Sequence, residues 1–421
     1  MKTLRENPYL ILSGLLFAFF FTWSSTFSLV AMWLNQKVGL KGEDTAMMLA
    51  VCVLAALCSQ PLFGIIQDKL GLKKSLLWFI SLLLLCSGPL FIFFAVPLLR
   101  FNIFIGSVVL GTFVGVTFNS GVGVVESYIE RMSRRLSFEY GSVRMWGSLG
   151  WAMASLSAGL FFNINPDINF WIASFSAVVF FLLLCLLRDW SLNTLKTETA
   201  TQSVFDCAEK LTLGDALSLL LLPRFWALVI FVIGVSIYNT YDQQFPTYFA
   251  SKFSEANLGH QVYNLLNPLQ FFIEAVGMFM APFLINRIGA KQGLILSGLL
   301  MSLRIFTSGV TDDTLYISLL KLLHAIESPI LLISLFKYIT TRFDPRLSTT
   351  LYLVGFQFAT SLSVSLLSST IGHGYELFGF SDTYMVMAAL VFAFTFVSGF
   401  LLESESLYEE SSFSQALPSE K

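Results

Sequence analysis

Twelve stretches of roughly twenty predominantly apolar residues run along this chain, each long enough to cross the hydrocarbon core of a bilayer as one helix. They fall near 9–34, 44–66, 75–98, 103–130, 142–163 and 168–187, then near 224–250, 261–286, 292–310, 314–340, 347–374 and 382–402. Of its 421 residues, 55% are hydrophobic and only 12% charged, about half the charged fraction of an ordinary soluble domain. There is too little polar surface to cover these stretches in water. In lipid the apolar side chains can point outward, provided each helix satisfies its own backbone N–H and C=O groups. The expected fold class is an all-α membrane protein with twelve transmembrane helices. The first stretch is too long for the core of a signal peptide and lacks a small-residue cleavage site, so it reads as a span.

An even number of spans puts both termini on one side of the membrane. With the N-terminus in the cytoplasm, sixteen Lys and Arg lie in inside segments, and only Lys37, Lys41, Arg100 and Lys252 lie outside. That asymmetry predicts cytoplasmic N- and C-termini. The polar run SLNTLKTETATQS interrupts the apolar pattern and divides the chain. The expected parts are an N-terminal six-helix bundle over 1–190, a cytoplasmic middle loop over 191–222, a C-terminal six-helix bundle over 223–402 and an acidic cytoplasmic tail over 403–421. A net charge of −2 with no clustered basic face argues against a nucleic-acid partner. Cys52, Cys58, Cys86 and Cys185 sit in apolar runs as small hydrophobes, so neither a metal site nor a disulfide framework is expected. No phosphate-binding loop and no nucleophile–base constellation stands out, so no cofactor and no enzymatic activity are expected.

The stretch Asp68-Lys-Leu-Gly-Leu-Lys73 after the second span returns as Asn286-Arg-Ile-Gly-Ala-Lys291 after the eighth, 218 residues later. Parallel six-span halves are the layout of the major facilitator fold. The loop Gly64-x-x-x-Asp68-Lys69-x-Gly71-x-Lys73-Lys74 resembles the signature loop of that superfamily. Its glycines permit close helix approach and a tight turn, and its charges can pair with polar ends of neighbouring helices. Gly64, Asp68, Lys69 and Gly71 are therefore candidates for a gating joint; the plainer reading is a basic turn that obeys the orientation rule.

A charge at mid-bilayer costs at least about 2.5–3.5 kcal/mol, so each one needs a reason. The spans hold Glu126, Arg144, Asp242, Glu274, Arg304, Lys321, His324 and Glu327, with Lys337 near a span end, where it can snorkel. Lys321, His324 and Glu327 follow at i, i+3 and i+6, which puts His324 and Glu327 on adjoining parts of one helix face. An imidazole beside a carboxyl in a low-dielectric cavity is a proton-handling pair. Burial disfavours the carboxylate, so Glu327 can hold a proton and release it when its surroundings change. Glu126 and Arg144 lie on consecutive spans, where pairing lowers the cost of both, and the planar fork of Arg144 suits two hydroxyls. Trp151, two turns beyond Arg144, offers a platform for the apolar face of a sugar. Asp242 and Arg304 can balance Lys321 and Glu327 in more than one pairing. Glu274 has no local partner and calls for a ligand hydroxyl or another helix.

These stretches resemble the oligosaccharide–proton symporters, the group containing lactose, raffinose and sucrose permeases, over nearly the whole chain. The likeness is most specific at Gln60-PLFGIIQDKLGLKK, Val125-Glu126-SYIERMSRR, Phe138-EYGSVRMWGSLGW, Tyr241-DQQF and Leu320-KLLHAIESP. It implies proton-coupled uptake of a disaccharide by alternating access, in a monomer in the lipid bilayer of a bacterial-type inner membrane. It further implies a sugar clamp of Glu126 and Arg144 with Trp151 stacking, sugar and coupling roles for His324 and Tyr238, and Glu327 as proton carrier assisted by Arg304. Asp242 and Lys321 are implied to form a structural charge pair. The chain departs from the lactose branch at Phe271, where that branch has a carboxylate and this chain instead has Glu274 one turn later. It departs again at Asn239 and Thr360, which replace an Asp–Lys pair, and at Ser148, which replaces Cys. FTWSSTFSLVAMWL, YNTYDQQF, LNPLQFFIEA and FQFATSL look closer to sucrose permeases. The expected sugar is sucrose, with a galactoside such as lactose, melibiose or raffinose as the alternative and a sugar or drug exporter of the same fold as a further one.

Overall fold

A computed structural model describes residues 7–40, 42–162, 164–187, 214 and 218–403. Most of the expected middle loop and nearly all of the acidic tail lie outside the described residues. The spans are α1 (Pro8–Val38), α2 (Asp44–Leu70), α3 (Ser75–Phe101), α4 (Ile103–Arg135), α5 (Tyr140–Phe162), α6 (Ile168–Leu186), α7 (Pro223–Ser251), α8 (Asn257–Ile288), α9 (Ala290–Val310), α10 (Thr314–Arg342) and α11 (Pro345–Leu401). Among the described residues, ten of these are long and apolar enough to cross a membrane. The exception is α5, whose Arg144 and several Gly and Ser lower its hydropathy; of these, Gly141, Arg144, Gly147, Ser148 and Gly150 are buried against other helices. α11 has 57 residues, about 85 Å of helix at 1.5 Å per residue, far more than one crossing of a core about 30 Å thick. Gly379, at φ 78° and ψ 179°, divides it into two spans, which completes the expected twelve.

The helices form two parallel halves. In the first, α1 packs along α5 and α6, and α2 along α4; in the second, α7 and α9 both pack along α11. The halves meet through α5 against α8 and α2 against α11. Their close contacts gather at the end that carries Lys73, Arg134, Arg287 and Lys291, here called the basic end. A β-carbon at Gly64 would lie 3.0 Å from the Thr350 Cα, and one at Gly141 would lie 2.3 Å from the Met278 carbonyl oxygen and 2.6 Å from the Pro282 ring. Only glycine permits the second approach.

The sequence repeat has a spatial counterpart there. Asp68 accepts the backbone N–H groups of Thr349 (3.1 Å) and Thr350 (2.8 Å) and pairs with Arg131, which also donates to Ser348 Oγ (3.0 Å) and the Arg346 carbonyl (2.9 Å). A carboxylate from one half thus caps the first turn of α11 in the other, satisfying orphan amides at the positive end of that helix. At the equivalent joint Asn286 donates to Glu139 (3.0 Å) at the start of α5, and Lys337 donates to Asn286 (2.9 Å) and to the Ile285 carbonyl (3.4 Å). Gly71 (φ 58°) and Gly289 (φ 87°) make the two turns. Lys69 is exposed and takes no part in the cluster. Lys337, expected only to snorkel, ties the second joint together.

Gly141→Val should prop the basic end open. Overpacking of this kind costs about 1–3 kcal/mol, so the closed-to-open ratio should fall roughly five- to 150-fold. Faster amide hydrogen exchange in segments 138–146 and 278–286 would show it; unchanged exchange would mean that this contact does not hold the halves together.

Candidate functional site

Two polar clusters occupy the middle of the bundle. The first crosses between the halves. α4 delivers Glu126 and α5 delivers Arg144, whose Nε lies 2.6 Å from Glu126 Oε1. The Arg144 guanidinium sits 4.2 Å from the centre of the Phe20 ring on α1 and donates through Nη1 to Ser148 Oγ (3.2 Å), one turn on. Ser148 donates in turn to Glu274 Oε1 on α8 at 2.9 Å. On the other side, Tyr352 of α11 donates to Glu126 Oε2 (2.5 Å), and Gln357 Nε2 donates to the Tyr352 hydroxyl (3.1 Å). One hydrogen-bonded chain therefore runs Gln357, Tyr352, Glu126, Arg144, Ser148, Glu274. Glu126, Arg144 and Glu274 are 2%, 7% and 6% exposed, so breaking a pair here would leave a buried charge uncompensated, a loss of about 3–5 kcal/mol.

Aromatic rings flank this chain. Trp151 lies 5.2 Å from Trp23, edge to face, and 5.6 Å from Phe271 of α8. It is only partly buried. A flat apolar surface next to charged hydroxyl acceptors and donors is what a pyranose needs, with one face apolar and a rim of hydroxyls.

The second cluster lies within the C-terminal half. Arg304 of α9 grips Asp242 of α7 with two bonds, Nη1 to Oδ1 at 2.9 Å and Nη2 to Oδ2 at 3.2 Å, and its Nη2 reaches Glu327 Oε1 of α10 at 2.6 Å. His324 Nδ1 is 3.1 Å from the same Glu327 oxygen and 3.5 Å from Asp242 Oδ2. Tyr238 faces the His324 ring at 5.8 Å. Arg304 and Glu327 have no exposed side-chain surface, whereas Asp242 keeps 22% and His324 15%. The cluster therefore has a sealed side and a wetted side. Glu327 Oε2 is buried with no hydrogen-bond partner.

One expected pairing is corrected. Asp242 does not pair with Lys321: the Arg304 fork takes both of its oxygens. The Lys321 ammonium instead sits 4.9 Å from the Tyr263 ring centre and 5.9 Å from that of Phe245, a cation–π setting that suits a buried ammonium. Planar bidentate geometry favours Arg over Lys at a carboxylate. Glu126, Arg144, Arg304, His324 and Glu327 fall into the two clusters, with Trp151 and Tyr238 beside them. Glu274, which lacked a partner on its own helix, finds one through Ser148.

Sequence reasoning missed Tyr352 and Gln357, and took Ser148 only as a departure from a relative. Tyr and Gln carry no charge, so the cost argument that picked out the other residues passes over them. They meet because 351–358 is wound in π register, where residues five apart align; a spacing of three or four does not reveal the pair.

The bundle has the fold of a membrane transporter. The solved fucose:proton symporter of Escherichia coli superimposes with a TM-score of 0.63 at 16% identity, covering 94% of this chain and all of that one. The sequence narrows the class: the profile of the LacY proton/sugar symporter family matches residues 1–412, and the chain belongs to that family. It is 39% identical to raffinose permease of Escherichia coli over 96% of this chain and 94% of the relative. It is 39% identical to lactose permease of Klebsiella oxytoca over 90% and 91%, and 37% identical to sucrose permease of Escherichia coli over 94% and 94%. These relatives are permeases, and the family to which the chain belongs is one of membrane transporters. The identities do not rank the sugars.

Proposed function

We propose that the protein takes a disaccharide, sucrose, into the cell together with a proton, by alternating access in a bacterial-type inner membrane. The observation that carries this reading is the polar chain of Glu126, Arg144, Ser148 and Glu274 joining the two halves beside Trp151. A sugar bound there touches both halves and can bias how they rock. Both termini are taken to be cytoplasmic, which makes the basic end the inner end and the present conformation outward-facing. The unit is a monomer, with bundles over 1–190 and 223–402.

In this cycle Glu327 carries the proton. Protonation breaks its pairing with Arg304, which stays anchored to Asp242. Sugar binds through Glu126, Arg144 and Glu274, stacking on Trp151, with His324 and Tyr238 reaching it from the second cluster. The halves rock, the sugar leaves inward, and Arg304 then draws Glu327 back to the carboxylate, releasing the proton. The hinge of the inner gate is Gly64, Asp68 and Gly71.

Sucrose is favoured over a galactoside by Phe271, Asn239 and Thr360. Phe271 adds an apolar wall beside Trp151 where the lactose branch has a carboxylate. The test is competition among sucrose, lactose, melibiose and raffinose for uptake into cells expressing the protein. Sucrose is expected to be transported and to compete best. Uptake of lactose or melibiose with no effect of sucrose would replace sucrose by a galactoside and leave proton symport in place.

A further inference from the structure

Below the sugar clamp, on the side of the basic end, three rings pack together across the halves, the crossing contact edge to face. Phe336 of α10 lies 5.0 Å from Tyr140 of α5 and 4.4 Å from Tyr352 of α11, and Tyr352 stacks on Phe356 at 5.6 Å. A β-carbon at Gly123 on α4 would lie 2.1 Å from the Leu353 side chain, so this part of α11 presses directly on α4. Within this seal Tyr352 is 1% exposed, and its hydroxyl holds Glu126 of the opposite half. Gln357, only partly buried, donates to that hydroxyl and so strengthens it as a donor toward the carboxylate.

The two oxygens of Glu126 thus have two occupants: Arg144 from its own half and Tyr352 from the other. A sugar hydroxyl that binds Glu126 must share or displace one of them. Arg144 is charged and held by Ser148 as well; Tyr352 is neutral and gives up a single bond. Displacing Tyr352 also removes a tie between α4 and α11 next to the contacts that close the basic end. Building on the sugar site proposed above, we propose that Tyr352 is a positioning residue that couples sugar occupancy to opening of the basic end. Its hydroxyl latches Glu126 while the site is empty, and a sugar hydroxyl releases the latch. Gln357 tunes the latch from one π turn further out. This gives the sugar a way to promote the rocking that carries it.

The test is Tyr352→Phe, which keeps the ring stack and loses only the hydroxyl, with Gln357→Leu as a milder second variant. Purified full-length proteins are compared by hydrogen–deuterium exchange over 138–146 and 345–353, with and without saturating sucrose, and by direct sucrose binding. Wild type should exchange faster in these segments when sucrose is added. Tyr352→Phe should already exchange fast without sugar, gain little on its addition, and bind sucrose about three- to tenfold more tightly, because a competing bond to a charged group is gone. Gln357→Leu should shift both readouts the same way by less. A Tyr352→Phe protein with wild-type exchange in the absence of sugar, or with unchanged or weaker sucrose binding, overturns the proposal. Failure of the sugar reading itself is distinguishable, because it appears in the wild-type protein alone, as absence of binding for sucrose, raffinose, melibiose and lactose.

Discussion

Cells carrying Glu327→Gln are expected to lose sugar accumulation completely, the internal concentration never exceeding the external one, while exchange of internal for external sugar continues. Glutamine has nearly the volume of a protonated glutamic acid and stays neutral, so it stands in for the loaded state. It can keep the contact with His324, which lies 3.1 Å from Glu327 Oε1, and leaves Arg304 with its two bonds to Asp242. What it cannot do is return a carboxylate to Arg304. The sugar-loaded carrier can therefore still rock both ways, but a cycle that must release a proton inside cannot finish. Gradient-driven accumulation gives way to one-for-one exchange. Counterflow of labelled sucrose with accumulation measured in parallel separates the two; normal accumulation would remove Glu327 from the proton step.

The second large effect is expected from Arg144→Lys. The charge survives, but the fork does not. In the structure one guanidinium spans Glu126 and Ser148 while resting on Phe20. An ammonium is a compact, strongly hydrated point charge and cannot hold both with the same planarity. Loss of one oriented charge-assisted contact at a buried site, together with misplacement of Glu126, should weaken sucrose binding about 100-fold, or roughly 2.7 kcal/mol. Direct binding to purified protein measures it; affinity within about threefold of wild type would show that the guanidinium geometry does not matter.

Much of this architecture was legible in the residues because lipid makes polarity expensive. Every charge in a span had to be justified, and this one rule picked out Glu126, Arg144, Asp242, Glu274, Arg304, Lys321, His324 and Glu327. All but Lys321 join one of the two hydrogen-bonded clusters. The 218-residue repeat, Asp68–Lys73 returning as Asn286–Lys291, pointed to two equivalent loops, and Asp68 and Asn286 each make contacts to the other half there. The rule is blind in two respects. It ranks residues by the cost of burying them and says nothing of direction, so it could not choose between Lys321 and Arg304 as the partner of Asp242. Neutral donors escape it, so Tyr352 and Gln357 went unseen, and the π register that aligns them is a backbone property with no clear residue signature. The last two spans were legible as well: they were expected near 347–374 and 382–402, and Gly379 breaks the helix between them.

The asymmetry of the present conformation follows from where small residues and caps are placed. At the basic end the halves close by glycine contact, by the ring cluster of Tyr140, Phe336 and Tyr352, and by Asp68 capping α11. These are short-range contacts that are lost together once the helices part by a few ångströms, which suits a switch between two packed states better than a gradual hinge.

The central claim is that sugar and proton move together. The most direct measurement adds sucrose to lightly buffered, de-energised cells expressing the protein and follows the external pH. Prompt alkalinisation of the medium is expected as protons enter with the sugar, and none with Glu327→Gln. Sucrose entry with no change in external pH would contradict it.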